Sequence, residues 1–163
     1  MSIPTFNELP TPLRTISTRP LFVARFKVRG PINVGQAPGV DRRVGMITGG
    51  SFEGERLRGE VLEGSDWQTV RRDGGWTMDV RVLLKTGDGA LVSMLYSGLR
   101  LGPPEVLDAL ARGEPVDPAS YYFRITATFE TGAPGYAWLN RLLAVGTGHR
   151  YPDGPIYSLF EIV

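Results

Sequence analysis

The chain contains no cysteine. Disulfides, thiolate metal sites and cysteine nucleophiles are therefore excluded, and the composition is compatible with a reducing compartment. There is one histidine, His149, which excludes a multi-histidine metal centre. Carboxylates do not cluster at any recognisable ligand spacing, so no metal or other cofactor is expected. An excess of one charge is lacking as well: 18 Lys and Arg stand against 17 Asp and Glu, for a formal net charge of +1. Domains dedicated to nucleic acid carry a basic excess or a basic stripe; with neither present, no nucleic-acid partner is expected. No run of about 18 apolar residues could form a membrane-spanning helix. The stretch Met1–Leu13, with Pro4, Pro10, Pro12 and Glu8, lacks the apolar centre of a signal peptide. The expectation is a cytoplasmic protein without a membrane partner.

What is abundant is punctuation. With 21 glycines and 13 prolines, long helical windows are scarce and short segments between turns are the rule. Those segments alternate. Trp76, Met78, Val80, Val82 and Leu84 share one face, opposed by Thr77, Asp79 and Arg81. Tyr121, Phe123, Ile125, Ala127 and Phe129 oppose Tyr122, Arg124, Thr126, Thr128 and Glu130. Leu21–Val28 repeats the pattern with Phe22, Ala24, Phe26 and Val28 together. A period of two with β-branched and aromatic residues predicts half-buried strands. Asp73-Gly74 and Gly87-Asp88-Gly89 fall where hairpin turns are needed. Further strands are expected at Arg43–Ile47, Glu55–Leu62, Asp66–Arg71, Leu142–Gly146 and Ile156–Ile162, and short helices at Pro104–Ala111 and Pro134–Arg141. The fold predicted is all-β, a closed antiparallel barrel of about eight to nine short strands with two short helices. Residues 1–19 read as a proline-containing extension and residues 20–163 as one barrel domain.

Motifs for known chemistry are mostly missing. Gly45–Gly50 is glycine-rich but has no Walker lysine, and reads as a turn between strands. Gly146-Thr147-Gly148 lacks the third glycine and the following helix of a dinucleotide site. His149 is expected in an exposed loop, and no Gly-x-Ser-x-Gly elbow positions a serine. The polar strand faces are more informative. Asp79 with Arg81, and Tyr122 with Arg124 and Glu130, each point one way. Such a face is either solvated, with weak surface ion pairs, or it lines the barrel mouth beside Tyr96 or Trp67, where paired charges would suit proton transfer. Trp67 and Trp138 are equally open between core and ligand platform.

Gly49-Gly50-Ser51-Phe52-Glu53-Gly54, Gly64-Ser65-Asp66-Trp67-Gln68, Asp73-Gly74, Asp88-Gly89-Ala90, Tyr121-Tyr122-Phe123-Arg124, Phe129-Glu130-Thr131 and Tyr136-Ala137-Trp138-Leu139-Asn140 follow one another along the chain. This series resembles a bacterial and fungal family of domains of unknown function (DUF3237, UPF0311-like). The resemblance spans roughly residues 20–163. It implies a small β-barrel, often a homo-oligomer, without a cofactor. Through its fungal relatives it implies ring closure in polyketide pathways, a hydroxyl adding across an activated double bond. On that implication Arg81 or Arg124 would stabilise the enolate, and Asp79 or Glu130 would remove the proton. Asp66, Trp67, Tyr96, Tyr122 and Trp138 would then hold a flat substrate.

The function expected is a cofactor-independent isomerase, cyclase or lyase acting on a phenolic or polyketide-like small molecule. The alternatives are a non-catalytic small-molecule-binding barrel and a structural oligomeric protein. An enzyme predicts paired ionisable groups deep in a cavity, a carrier predicts an apolar lumen, and a structural protein predicts no cavity.

Overall fold

The cleanest alternations become strands whose apolar side is the lumen of a closed barrel. In the computed structural model, which describes residues 3–163, eight antiparallel strands pair in chain order and the last returns to the first. They are β1 (Thr18–Ala37), β2 (Val40–Glu53), β3 (Arg58–Val70), β4 (Trp76–Thr86), β5 (Leu91–Leu101), β6 (Tyr122–Glu130), β7 (Ala144–Tyr151) and β8 (Gly154–Ile162). β4 and β6 alternate buried and exposed along almost their whole length, as the period of two requires. The helix α1 spans Pro104–Ala111, and Pro134–Arg141 forms a run of 3-10 turns. Among the described residues no helix is long and apolar enough to cross a membrane.

Met1 and Ser2 of the expected extension lie outside the described residues. The rest of it makes two short 3-10 turns at Phe6–Glu8 and Thr11–Leu13, the first capped by the Thr5 N–H donating to Glu8 Oε2 at 2.7 Å. β1 already begins at Thr18, because Thr18 and Arg19 pair with Ile162 and Glu161.

Three local expectations change. The segments Glu55–Leu62 and Asp66–Arg71 are one strand, β3, because a bulge between Val61 and Gly64 absorbs the break in phase. Gly45–Gly50 is not a turn but the middle of β2. Gly50, at φ 142°, lies so close to β1 that a Cβ there would be 2.0 Å from the Arg25 carbonyl oxygen. His149 is not in a loop; it is part of β7, paired with Ile156.

The two ends of the barrel differ. At one, Phe22, Phe52, Leu57, Leu84 and Phe129 pack with Leu139 from the 3-10 segment, all buried. Glu161, buried there, is held between Arg19 and Arg56, the latter at 2.5 Å. Arg56 in turn lies 3.8 Å over the Trp138 ring. Burial pushes the Glu161 carboxyl up, but its two arginines outweigh this and hold it below the ordinary glutamate range. At the other end α1 leans over the mouth. Pairing strength also varies around the wall: β1 and β2 match at twelve positions, β6 and β7 at four.

Gly50→Ala should cost about 2–3 kcal/mol, from its positive φ and the collision with the Arg25 carbonyl. In a chain of this size that lowers Tm by roughly 5–10 °C, read by circular dichroism. An unchanged Tm would show that β1 and β2 are not held this close.

Candidate functional site

Register sets the site. Across β3, β4 and β5 the positions Asp66, Val80 and Tyr96 are neighbours in one row, and all three are buried. Two rows nearer the mouth, beyond the row of Met78 and Gly98, Trp76, Arg100 and Phe123 are neighbours across β4, β5 and β6. Asp66, Tyr96, Trp76, Arg100 and Phe123 of these rows, with Arg150 of β7 and Tyr157 of β8, line a cavity of about 250 Å³ that Leu110 and Ala111 of α1 overhang.

The floor is aromatic. Phe26, Tyr96, Phe123 and Tyr157 meet with ring centroids 5.3–6.1 Å apart, mostly tilted or edge-on, the favoured arrangement of aromatic quadrupoles. Phe123 and Tyr157 lie over Gly148, where a Cβ would be 2.9 Å from each ring. The Tyr96 hydroxyl donates to the Tyr157 hydroxyl at 3.4 Å, so the Tyr157 proton is free to serve another acceptor. Burial raises both phenols above their ordinary range, with the Asp66 charge adding to it. Both therefore remain neutral donors at physiological pH.

Above this floor lie charges that the protein does not fully satisfy. Gln68 Nε2 donates to Asp66 Oδ2 at 2.6 Å, but Asp66 Oδ1, Gln68 Oε1 and Arg100 Nε are buried without a partner among the described residues. Buried polar atoms are almost always paired, so three orphans around one cavity mark a place for a ligand or for water. Burial pushes the Asp66 carboxyl up to about 6, against the lowering effects of the Gln68 hydrogen bond and the Arg100 charge. The Arg100 guanidinium lies 4.9 Å from the centroid of Trp76 and 5.9 Å from that of Phe123. Burial, then the charge of Arg150, lowers Arg100 below the ordinary arginine range; burial also lowers Arg150. Arginine keeps its proton through shifts of this kind.

Arg150 is positioned by a relay from Tyr121, just before β6. Its backbone N–H donates to the Tyr121 hydroxyl at 2.9 Å, and that hydroxyl is 2.8 Å from His149 Nδ1. The Tyr121 hydroxyl thereby bridges the Arg150 backbone and the His149 ring.

Of the residues singled out in the sequence, Asp66 and Tyr96 line the cavity. The expected catalytic set does not. Asp79, Arg81, Arg124 and Glu130 all lie exposed on the outer wall, because each alternates with a buried neighbour on β4 or β6. Arg124 rests on the Tyr122 ring at 5.0 Å and donates to the Phe123 carbonyl. Tyr122 and Trp67 are each 49% exposed, and the Trp67 indole donates to Ser65 Oγ at 3.2 Å. Trp138 lies at the opposite end, beneath Arg56. These assignments are corrected: a polar face that opposes an apolar one is outside a closed barrel. Sequence reasoning missed Gln68, Arg100, Arg150 and Tyr157. The signal for Arg100 was there, since it falls in phase with Val92, Met94 and Tyr96 on the buried side of β5.

Fold and site together define a small closed barrel with a ligand-sized cavity at one end, apolar and aromatic over most of its lining with a few charged groups set into it. The chain belongs to the family described as "Protein of unknown function (DUF3237)", which matches residues 16–162. It is 35% identical over 150 residues to a UPF0311 protein of Rhodopseudomonas palustris, covering 91% of this chain and 98% of that protein. A UPF0311 protein of Clostridium acetobutylicum is 34% identical over 154 residues, covering 93% and 98%. Among solved structures, a β-barrel-like protein of Acinetobacter baumannii is similar at TM-score 0.79 and 41% identity, covering 91% of this chain and 97% of its own. A protein of Penicillium herquei described as an enzyme has a TM-score of 0.70 at 21% identity, covering 100% and 99%, a likeness of fold.

The raised Asp66 carboxyl has a measurable consequence. Its folded pKa, about 6, lies above the ordinary 3.8, so the folded state binds the proton more tightly. The stability this provides is complete below about pH 4 and is lost as pH rises through about 6. Asp66→Asn should remove that slope and melt higher than wild type at pH 8, by at most about 3 kcal/mol. Thermal melts of both proteins between pH 4 and 8 test this; parallel curves would refute it.

Proposed function

We propose that the barrel is a cofactor-independent isomerase or cyclase that adds a hydroxyl across the double bond of a small phenolic enone. The observation that carries this reading is the cavity itself: an incompletely paired carboxylate and neutral tyrosine donors face a space of about 250 Å³. That volume lies just below the range of about 300–1,000 Å³ usual for small-molecule pockets, which suits a compact, flat molecule.

Each group has a role in a balanced reaction. The Asp66 carboxylate takes the hydroxyl proton as the substrate oxygen bonds to the β-carbon. The π electrons move to the carbonyl oxygen, and the developing enolate accepts a hydrogen bond from Tyr157, itself backed by Tyr96. Asp66, now protonated, returns its proton to the α-carbon, so the product is an isomer of the substrate. A base titrating near 6 suits this exchange, being ionised at neutral pH yet a competent acid once protonated. The two arginines keep the cavity electropositive, which favours both the ionised base and the enolate.

Asp66→Asn should lower kcat/KM for a phenolic hydroxy-enone by about 10²–10⁴-fold, and Tyr157→Phe by roughly 10²-fold. The wild-type rate should rise with pH through about 6, following the ionisation of Asp66. Full activity in Asp66→Asn would defeat the proposal. Tight binding of such compounds without turnover would make the barrel a carrier.

A further inference from the structure

The chemistry above uses Asp66 and the tyrosine pair and leaves two guanidiniums of the same cavity without an assigned partner. Seven ion pairs link arginines or lysines to carboxylates among the described residues, and neither Arg100 nor Arg150 takes part in any of them. Arg150 donates to the Tyr151 carbonyl, while Arg100 keeps a buried Nε with no acceptor. Two cations thus share a small cavity with one carboxylate, and Asp66 lies deeper, two rows below Arg100. The closed end of the barrel solves the same electrostatic problem internally, by setting Glu161 between Arg19 and Arg56. At the mouth, among the described residues, neither arginine has such a partner: the carboxylate whose charge reaches Arg150 from outside, Asp153, is paired with Arg25.

We infer that the missing partner is the substrate's own: the cavity takes a planar aromatic carboxylate, with the carboxylate received between Arg100 and Arg150 and the ring directed inward. This rests on reading the cavity as the substrate site and adds the class of molecule it selects. Guanidinium forks match carboxylate oxygens in pairs, a geometry an ammonium does not offer. Arg100 is also held by packing rather than by a salt bridge, between the Trp76 and Phe123 rings. Its orientation therefore survives in the empty site, which limits the ordering cost of binding. Arg150 is fixed through its backbone by Tyr121. The anionic end of the ligand would lie beneath α1, and its reacting end would reach Asp66 and Tyr157.

The test is calorimetric binding of salicylate and of salicylamide, which share ring and hydroxyl and differ in the charge of one substituent. At pH 7 salicylate should bind at least tenfold more tightly. Arg100→Met and Arg150→Met should each cut salicylate affinity tenfold or more while leaving salicylamide unchanged, with near-ultraviolet circular dichroism reporting the fold. Arg150→Lys, which keeps the charge but loses the fork, should fall between wild type and Arg150→Met. Asp66→Asn should bind salicylate several-fold more tightly, because it removes the one negative charge facing the ligand. Equal binding of acid and amide, or full salicylate affinity in both methionine variants, would overturn the inference. Since binding is read without turnover, an inactive protein that still prefers the acid would defeat the proposed reaction and leave this selectivity standing.

Discussion

Everything in this protein hangs on β1, which hydrogen-bonds to β2 along one side and to β8 along the other. It is long, 20 residues, and broken in register at several points, and those irregularities let one strand bend far enough to join both ends of the sheet. Closure joins the first strand to the last, so the sheet has no terminal strand. It also forces a division: every strand has one face in a narrow lumen and one in water. An interior this small must be filled by side chains, and away from the mouth it is, by Phe22, Phe26, Phe52, Phe129 and their neighbours. Where the filling stops, beneath α1, the cavity begins.

Buried charge is handled in opposite ways at the two ends. Glu161 is surrounded by cations, and its carboxyl stays below the ordinary range in spite of burial. Asp66 has one amide donor and a distant guanidinium, and its carboxyl rises. The difference lies in the completeness of the partners. A carboxylate that the protein fully satisfies stabilises the fold; one left half-satisfied strains it and is available to a ligand. The first closes the barrel and the second faces the pocket.

Much of the fold was legible in the chain. The faces of β4 and β6 follow the alternation residue for residue, and α1 occupies Pro104–Ala111 as its proline start and glycine stop imply. The site was harder, because strand periodicity says which residues share a face and not which side that face takes. Asp79, Arg81, Arg124 and Glu130 are the conspicuous charges, and they are conspicuous because they oppose apolar residues, which places them in water. The pocket is built instead from polar residues hidden within the apolar phase, Arg100 among valine, methionine and tyrosine. Asp66 is singled out through the family resemblance and not by alternation, because the bulge between Val61 and Gly64 shifts the count midway along β3. No local pattern announces the clamp on Glu161, since Arg19 and Arg56 come from far away in sequence.

The four matched positions between β6 and β7 carry a mechanical meaning. A closed wall with no edge can still open along the seam with the fewest rungs, and here that seam joins the strand bearing Phe123 to the strand bearing Arg150. Opening free energy in a folded protein is lowest where backbone pairing is thinnest, so the wall is most compliant beside its own pocket. The barrel thereby combines a densely paired hoop at β1 and β2 with one sparsely paired seam, and that seam borders the pocket.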